Sequence, residues 1–236
     1  MIAQKLRRSV ASLWETTYQH PFVQELGQGR LPQEKFKFYL LQDYLYLLDY
    51  ARLMAYAAIH ADDESSMRYF TRIQSDILDS ELETHRNYMA EFAITTEMAG
   101  QVQPALFNRA YAANMLATAQ SGQLAKIIAT VLPCAWTYAE FAQRLVKAYD
   151  HVLPNNPYRV WLEKYASADF AQSAEWLLAK LEALMQDKSE QEYQEIQEIF
   201  KSSLEFEYLF WEMSYEMQTG VGATDENQEG DKHEKG

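Results

Sequence analysis

The chain has 236 residues, enough for one large domain or two small ones, and its hydrophobic content of 48% excludes an intrinsically disordered protein. A net charge of −13 disfavours binding to nucleic acid, and only 8 glycines and 6 prolines argue against an all-β fold. The single cysteine excludes an internal disulfide. With no apolar signal core at the N-terminus and no apolar stretch long enough for a bilayer, we expect a cytoplasmic protein that does not associate with membranes.

Hydrophobic periodicity predicts an all-α protein of roughly eight helices. The first is amphipathic, covers residues 2–18 and ends at His20-Pro21-Phe22. The others are predicted at residues 32–60, 62–92, 104–120, 124–149, 158–165, 168–185 and 189–217. The composition turns polar from Thr219 onward, which predicts an all-α domain over residues 1–218 and a disordered acidic tail over residues 219–236.

Cys134 directly follows Pro133 inside the predicted helix 124–149, and Tyr138 lies one turn further along the same face. A thiol beside a phenol suits a catalytic site, but a lone cysteine is also typical of a packed core. No Lys, Arg or His within one turn can stabilise a thiolate. Activation would therefore require a group from another helix, or loss of the proton during attack.

Two carboxylates also stand out, because both lie in apolar surroundings. Asp43 lies in the middle of a helix that is apolar nearly all round, so it requires a partner, which is either Arg or Tyr in the core or an amino group on a ligand. Glu207 is surrounded in sequence by Phe206, Tyr208, Phe210 and Trp211. A carboxyl group against aromatic rings has a raised pKa that suits a general acid, whereas most helix glutamates are solvated.

Glu81 and His85 are spaced four residues apart on one predicted helix. A di-iron bundle requires two Glu-x-x-His motifs and two further glutamates, and the spacing here is Glu-x-x-x-His. Glu81 and His85 are therefore interpreted as hydrogen-bonded groups behind the site, or simply as neighbours on one helix, rather than as a ligand set, and we expect no metal.

Three stretches in order resemble the TenA family, the thiaminase II or aminopyrimidine aminohydrolases. They are residues 41–47 (Leu-Gln-Asp-Tyr-Leu-Tyr-Leu), residues 132–138 (Leu-Pro-Cys-Ala-Trp-Thr-Tyr) and residues 202–211, which contain Glu207. His20-Pro21-Phe22-Val23 and residues 157–167 fit the same pattern, so the resemblance covers residues 20–215. It implies a single haem-oxygenase-like helical bundle, commonly assembled as a homotetramer, without haem or another cofactor.

The resemblance also implies an activity, hydrolysis of 4-amino-5-aminomethyl-2-methylpyrimidine to the 5-hydroxymethyl compound in thiamin salvage, with thiamin as a second substrate. Cys134 places the chain in the branch with an active-site cysteine, where it would be the nucleophile that adds to the ring. Glu207 would protonate a ring nitrogen, and Asp43 would hold the exocyclic amine and the adjacent ring nitrogen. The residues implied to line the pocket are Tyr46, Tyr111, Tyr138, Tyr165 and Phe210.

Two other functions stay open at this point. One is a haem-oxygenase-like oxidase related in fold to pyrroloquinoline-quinone synthase or to the di-iron proteins, which would need more histidines and basic residues. The other is a non-catalytic helical scaffold or regulator.

Overall fold

The structure, a computed structural model, describes residues 1–224, and helices account for most of them. This confirms the prediction of an all-α protein. The chain divides into two compact units: one consists of Met1–Leu31 and Gln123–Trp211, the other of Pro32–Gly122 and the segment that begins at Glu212. Within residues 1–224, no helix combines the length and the apolar character needed to span a bilayer.

The first unit contains two separate stretches of sequence. Its helices are α1 (Ile2–Ser9), α2 (Ala11–Tyr18), α3 (Pro21–Gly27), α9 (Leu124–Ala148), α10 (Arg159–Tyr165), α11 (Ala168–Leu184) and α12 (Glu190–Glu216) as far as Trp211, with a 3₁₀ turn at Leu153–Asn155.

The second unit is formed mainly by one continuous stretch. Its elements are α4 (Gln33–Ile59), α5 (Glu64–Asp76), a π-helical segment (Ile77–Glu81), α6 (Leu82–Glu91), α7 (Thr96–Gln101), α8 (Leu106–Gln120), the last residues of α12, and strands β1 (Gln218–Gly220) and β2 (Ala223–Thr224).

The N-terminal region differs from the predicted single helix. The helix is interrupted at Val10, whose φ of −119° and ψ of 20° fall outside the helical region. The preceding helix ends at Tyr18, as predicted, and the His-Pro-Phe motif that follows also begins α3. Pro21 occupies the first helical position, and the ring Nδ1 of His20 accepts a hydrogen bond of 3.1 Å from the backbone N–H of Phe22.

A buried tryptophan packs α2 against α9. The ring of Trp14 lies 5.0 Å from that of Trp136 and 5.8 Å from that of Phe141, both in edge-on geometry. Its Nε1–H donates to the carboxylate of Glu140 at 3.0 Å. The apolar body of the indole is therefore buried while its polar atom is satisfied.

Asn156 joins the loop after α3 to the segment before α10. Its Nδ2 donates to the carbonyls of Leu26 and Gly27 at 3.0 Å, and its Oδ1 accepts from the backbone N–H of Tyr158 at 2.8 Å. The close approach of Asn156 also explains Gly29, which has a φ of +69° and where a Cβ would lie 3.3 Å from the Asn156 side chain. Tyr158, which lies in the family-like stretch 157–167, thus contributes to a structural connection.

Helix α4 is the centre of the second unit, as its long apolar pattern predicted. Its buried Gln42 contacts the start of α8: Oε1 accepts from the Ala105 N–H at 2.8 Å and from Asn108 Nδ2 at 3.0 Å, and Asn108 Nδ2 also donates to the Gln42 carbonyl. These bonds fix α8, and hence Tyr111, against α4.

The segment predicted as a disordered tail begins with a short antiparallel pairing. Gln218 pairs with Thr224 and Gly220 with Ala223, and Met217 before them has a φ of +48°. This β-ladder departs from the prediction that ordered structure ends before Thr219. The rest of that predicted tail, residues 225–236, lies outside the described residues.

Candidate active site

Helices α9 and α12 run parallel through the first unit, because contacts between them advance in the same direction along both. Thr130 Oγ1 and Ser203 Oγ are 2.9 Å apart, and two turns later the rings of Tyr138 and Trp211 lie 5.1 Å apart. Both contacts join residues that are 73 positions apart in the chain.

Cys134 and Glu207 are separated by the same 73 positions. Each lies one turn after the Thr130–Ser203 contact and one turn before the Tyr138–Trp211 contact, on the same helix face as those residues. The register of α9 and α12 therefore puts the thiol and the carboxyl group at the same level of two adjoining helices.

Cys134 and Glu207 differ in their exposure. Glu207 is only 2% exposed, whereas Cys134 is half-buried. The helix is continuous through Pro133, and Thr137 Oγ1 donates to the Cys134 carbonyl at 3.5 Å.

Two of the predicted lining residues, Tyr138 and Tyr165, belong to an aromatic cluster. Their ring centroids are 5.0 Å apart, and Trp161 lies 4.5 Å from Tyr165 and 5.7 Å from Tyr138. A small apolar pocket opens beside Tyr138 and Trp161, and Cys134 is not among the residues that line it. The cluster packs against the Tyr138 ring, and the small pocket is not lined by the thiol. Phe210 is buried on α12, three residues after Glu207.

Asp43 lies in the second unit and has the partners that its burial requires. The Tyr39 hydroxyl, one turn earlier on α4, donates to Oδ2 at 3.1 Å, and Nε2 of His85 on α6 lies 2.6 Å from the same oxygen. Asp43 and His85 are both almost completely buried. Of the partners predicted for Asp43, the structure shows a hydrogen-bonded core tyrosine, and it adds a histidine that was not predicted as a partner.

His85 contacts Glu81 through the backbone and not through the carboxylate. Its Nδ1 lies 2.9 Å from the Glu81 carbonyl oxygen, which can only accept a hydrogen bond, so Nδ1 carries a proton. Both ring nitrogens are thereby engaged, which makes His85 unsuitable as a metal ligand in this conformation. Across residues 1–224, no group of three or more His, Cys, Asp or Glu side chains is arranged to hold a metal ion.

Tyr46 and Tyr111 meet in the second unit, as expected of residues that line one surface. Their ring centroids are 5.2 Å apart, and the Tyr46 hydroxyl lies 3.6 Å from the Met115 sulfur. Both residues are buried. Tyr46 also lies three residues after Asp43 on α4, so its ring is close to the turn that carries the carboxylate.

Comparison with known proteins identifies the family. A match to the family described as TENA/THI-4/PQQC extends over residues 7–217. The chain belongs to this family. A relative named aminopyrimidine aminohydrolase, from Helicobacter pylori, is 37% identical over 215 residues, which are 91% of this chain and 99% of that protein. The resemblance to the TenA family is thus confirmed.

Solved structures agree on the fold of this TenA family member. A TenA homologue from P. horikoshii OT3 superposes with a TM-score of 0.82 at 33% identity and covers 91% of this chain and 98% of its own. A protein from Shewanella denitrificans OS217, described as a domain of unknown function with a heme oxygenase-like fold, gives a TM-score of 0.70 at 16% identity, covering 90% and 91% of the two chains. The predicted haem-oxygenase-like fold is confirmed.

Sequence reasoning named Cys134, Glu207 and Asp43 but did not assign the residues that hold them. Tyr39 could have been found, since it lies four residues before Asp43 on a predicted helix. In the same way, Thr130 lies four residues before Cys134, and Ser203 lies four residues before Glu207. His85 was singled out with Glu81, but its bond to Asp43 joins residues 42 positions apart and leaves no local signal.

Proposed function

We propose that this protein is an aminopyrimidine aminohydrolase that converts 4-amino-5-aminomethyl-2-methylpyrimidine and water into the 5-hydroxymethyl compound and ammonia. The observation that carries the proposal is the matched level of Cys134 and Glu207 on α9 and α12, in a chain 37% identical to a protein named aminopyrimidine aminohydrolase. Thiamin, which contains the same pyrimidine, is the second candidate substrate. The pathway served would be thiamin salvage.

The proposed reaction begins with addition of the Cys134 sulfur to an electron-poor carbon of the ring. The thiol proton passes to the amino group of the substrate, while Glu207 delivers its own proton to a ring nitrogen. The added sulfur makes the ring electron-rich. The ring then expels the amine from the exocyclic methylene, and the amine leaves with a proton as ammonia. Water adds to the methylene carbon and gives a proton to the Glu207 carboxylate. The carbon–sulfur bond then breaks, the proton on the ring nitrogen passes to the departing sulfur, and the ring becomes aromatic again. No electrons are gained or lost overall.

The other residues would bind the substrate. Asp43 would accept hydrogen bonds from the exocyclic amine and the adjacent ring nitrogen, when that nitrogen carries a proton. Tyrosine rings combine a flat apolar body with a polar tip, which suits a neutral, flat, polar ring. The residues proposed to line the pocket are Tyr46, Tyr111, Tyr138, Tyr165 and Phe210.

The deciding experiment compares turnover of the aminomethylpyrimidine and of thiamin by the native chain and by Cys134→Ala, with product separated by chromatography. We expect the native chain to release the hydroxymethylpyrimidine and Cys134→Ala to lose activity by about 10³-fold or more, because the covalent step is removed. Met67→Ala, which removes an exposed sulfur, is the control and should keep native activity. Full activity of Cys134→Ala with native circular dichroism would rule out the covalent mechanism.

Further measurements separate the two remaining alternatives. Oxygen consumption with stoichiometric iron would favour an oxidase, and absence of saturable aminopyrimidine binding in calorimetry would favour a non-catalytic regulator. A cytoplasmic location and a homotetramer are part of the proposal; light scattering at micromolar concentration tests the tetramer, which requires about four times the 27.5 kDa chain mass.

A further inference from the structure

The Asp43 carboxylate is held asymmetrically. Its two hydrogen bonds, from the Tyr39 hydroxyl and from His85, both fall on Oδ2. Among the described residues, none donates a hydrogen bond to Oδ1. A carboxylate has acceptor positions on both oxygens. One oxygen of Asp43 is thus committed to the protein, and the other is available to a ligand.

The proton positions around His85 follow from its partners. Nδ1 must carry a proton because it faces the Glu81 carbonyl oxygen. Oδ2 already accepts from Tyr39, so the short contact with Nε2 is best satisfied when Nε2 also carries a proton. His85 is then an imidazolium and Asp43 a carboxylate, and the buried pair is neutral overall.

Electrostatics favour the same assignment. Burial acts to lower the pKa of His85, but the hydrogen bond and charge of Asp43, with the charge of Glu81, outweigh it and raise that pKa above its usual value. Asp43 contacts His85 from α4, where Tyr39 is bonded to the same carboxylate oxygen, and Glu81 is the last residue of the π-helical segment before α6. The neighbouring Arg86 is turned toward Glu83.

The direction of the His85 ring depends on the π-helical segment before it. The Leu82 N–H bonds to the Ile77 carbonyl, five residues back, so one extra residue is accommodated between α5 and α6. One residue corresponds to about 100° of rotation in an α-helix. Regular helical winding from α5 would therefore turn His85 away from Asp43.

We propose that His85 is a positioning residue for the substrate-binding carboxylate: as an imidazolium it fixes Oδ2 of Asp43, so that Oδ1 faces the N–H groups of the aminopyrimidine. This inference rests on the proposed function, because it assigns Asp43 to that substrate. His85 itself does not touch the substrate. When His85 is deprotonated, the remaining proton stays on Nδ1, so Nε2 presents a lone pair to Oδ2 of Asp43. Oδ2 then loses the hydrogen bond that fixed the orientation of the carboxylate.

The test uses three variants of the full chain. His85→Gln keeps an N–H donor of similar reach but cannot titrate, and His85→Leu removes the donor. His151→Gln is the matched control, since His151 and Asp150 form an exposed pair with 3.6 Å between Nδ1 and Oδ1. The measurements are kcat and KM for the aminomethylpyrimidine between pH 6 and pH 10, and calorimetric binding of the hydroxymethylpyrimidine product over the same range.

We expect His85→Leu to raise KM and weaken product binding by about 10- to 100-fold, the loss typical of one charge-assisted hydrogen bond, with kcat changed much less. His85→Gln should retain most of the affinity at neutral pH. The native protein should lose affinity as pH rises through the raised pKa of His85, and this loss should be absent in His85→Gln. His151→Gln should match the native protein throughout.

Unchanged KM in folded His85→Leu, or the same alkaline loss of product binding in His85→Gln, would overturn the inference.

If His85→Leu does not fold, Tyr39→Phe replaces it. Tyr39→Phe removes the other donor to Oδ2 and should raise KM by about 5-fold, as for one neutral hydrogen bond. An unchanged KM in Tyr39→Phe together with the alkaline loss in His85→Gln counts against the inference. Failure of the native chain to bind or convert aminopyrimidines would instead refute the proposed function.

Discussion

In the first unit, Cys134 and Glu207 are placed by the register of two parallel helices, whereas in the second unit Asp43 is oriented by hydrogen bonds and charge. The contacts between the two helices on either side of this level, Thr130 with Ser203 and Tyr138 with Trp211, involve no net charge. The contacts around Asp43 depend on the protonation of His85. Substitutions in the first unit should therefore change kcat, and those in the second should change KM and its pH dependence.

After Cys134→Ala, the largest effect is expected for Glu207→Gln. Glutamine keeps the shape of the side chain but cannot deliver the proton, so kcat for the aminomethylpyrimidine should fall by about 10²- to 10⁴-fold with little change in KM. Steady-state kinetics measure both constants. Glu205→Gln, two residues away and exposed beside Lys201, serves as the control. A rise in KM without loss of kcat would place Glu207 in binding and would break the division between the units.

A smaller effect is expected for Asp43→Asn. The amide is nearly isosteric but uncharged, so substrate binding should weaken by about 10- to 100-fold while kcat at saturation changes less. Calorimetry with the hydroxymethylpyrimidine measures the affinity directly. Asp49→Asn on the same helix, which loses a surface ion pair with Arg52, should leave binding at the native level. Equal affinity of Asp43→Asn and native protein would remove the carboxylate from the substrate site.

The smallest effect is expected for Thr130→Val, which leaves the buried Ser203 hydroxyl without its partner. The free energy of unfolding should fall by about 1–3 kcal/mol, the cost of an unsatisfied buried polar group. Chemical denaturation measures this, with exposed Thr71→Val as the control. The double variant Thr130→Val with Ser203→Ala should recover much of the loss, because both polar groups are then absent.

A parallel measurement of kcat connects this stability test to the comparison. If the Thr130–Ser203 contact sets the register, kcat should fall a few-fold in Thr130→Val while KM stays near the native value. Normal kcat in a destabilised variant would assign the contact to stability alone.

The sequence predicted the long elements well, since a continuous apolar pattern is hard to misplace. Helices α4 and α9 begin and end within about one residue of the predicted ranges. The missed features are short or involve single residues: the interruption at Val10, the helices α3 and α7, and the π-helical segment before α6. A one-residue change in helical winding has no distinctive composition, so periodicity cannot detect it.

The candidate site shows a similar limit. Residue type and motif were enough to single out Cys134, Glu207 and Asp43, because a lone thiol and carboxylates in apolar sequence are unusual. Cys134 and Glu207 lie at the same level because of how α9 packs against α12, and no local sequence pattern contains that information. The protonation of His85 likewise depends on Asp43, which is remote in sequence.

The first unit is interrupted in sequence by almost the whole of the second, and this affects the order in which the chain can fold during synthesis. Trp14 buries its ring against Trp136, Phe141 and Phe200, which the ribosome adds more than 120 residues later. The second unit draws most of its contacts from Pro32–Gly122 and is nearly complete by then. The apolar faces of the N-terminal helices therefore stay uncovered through most of translation, a period in which they are accessible to chaperones.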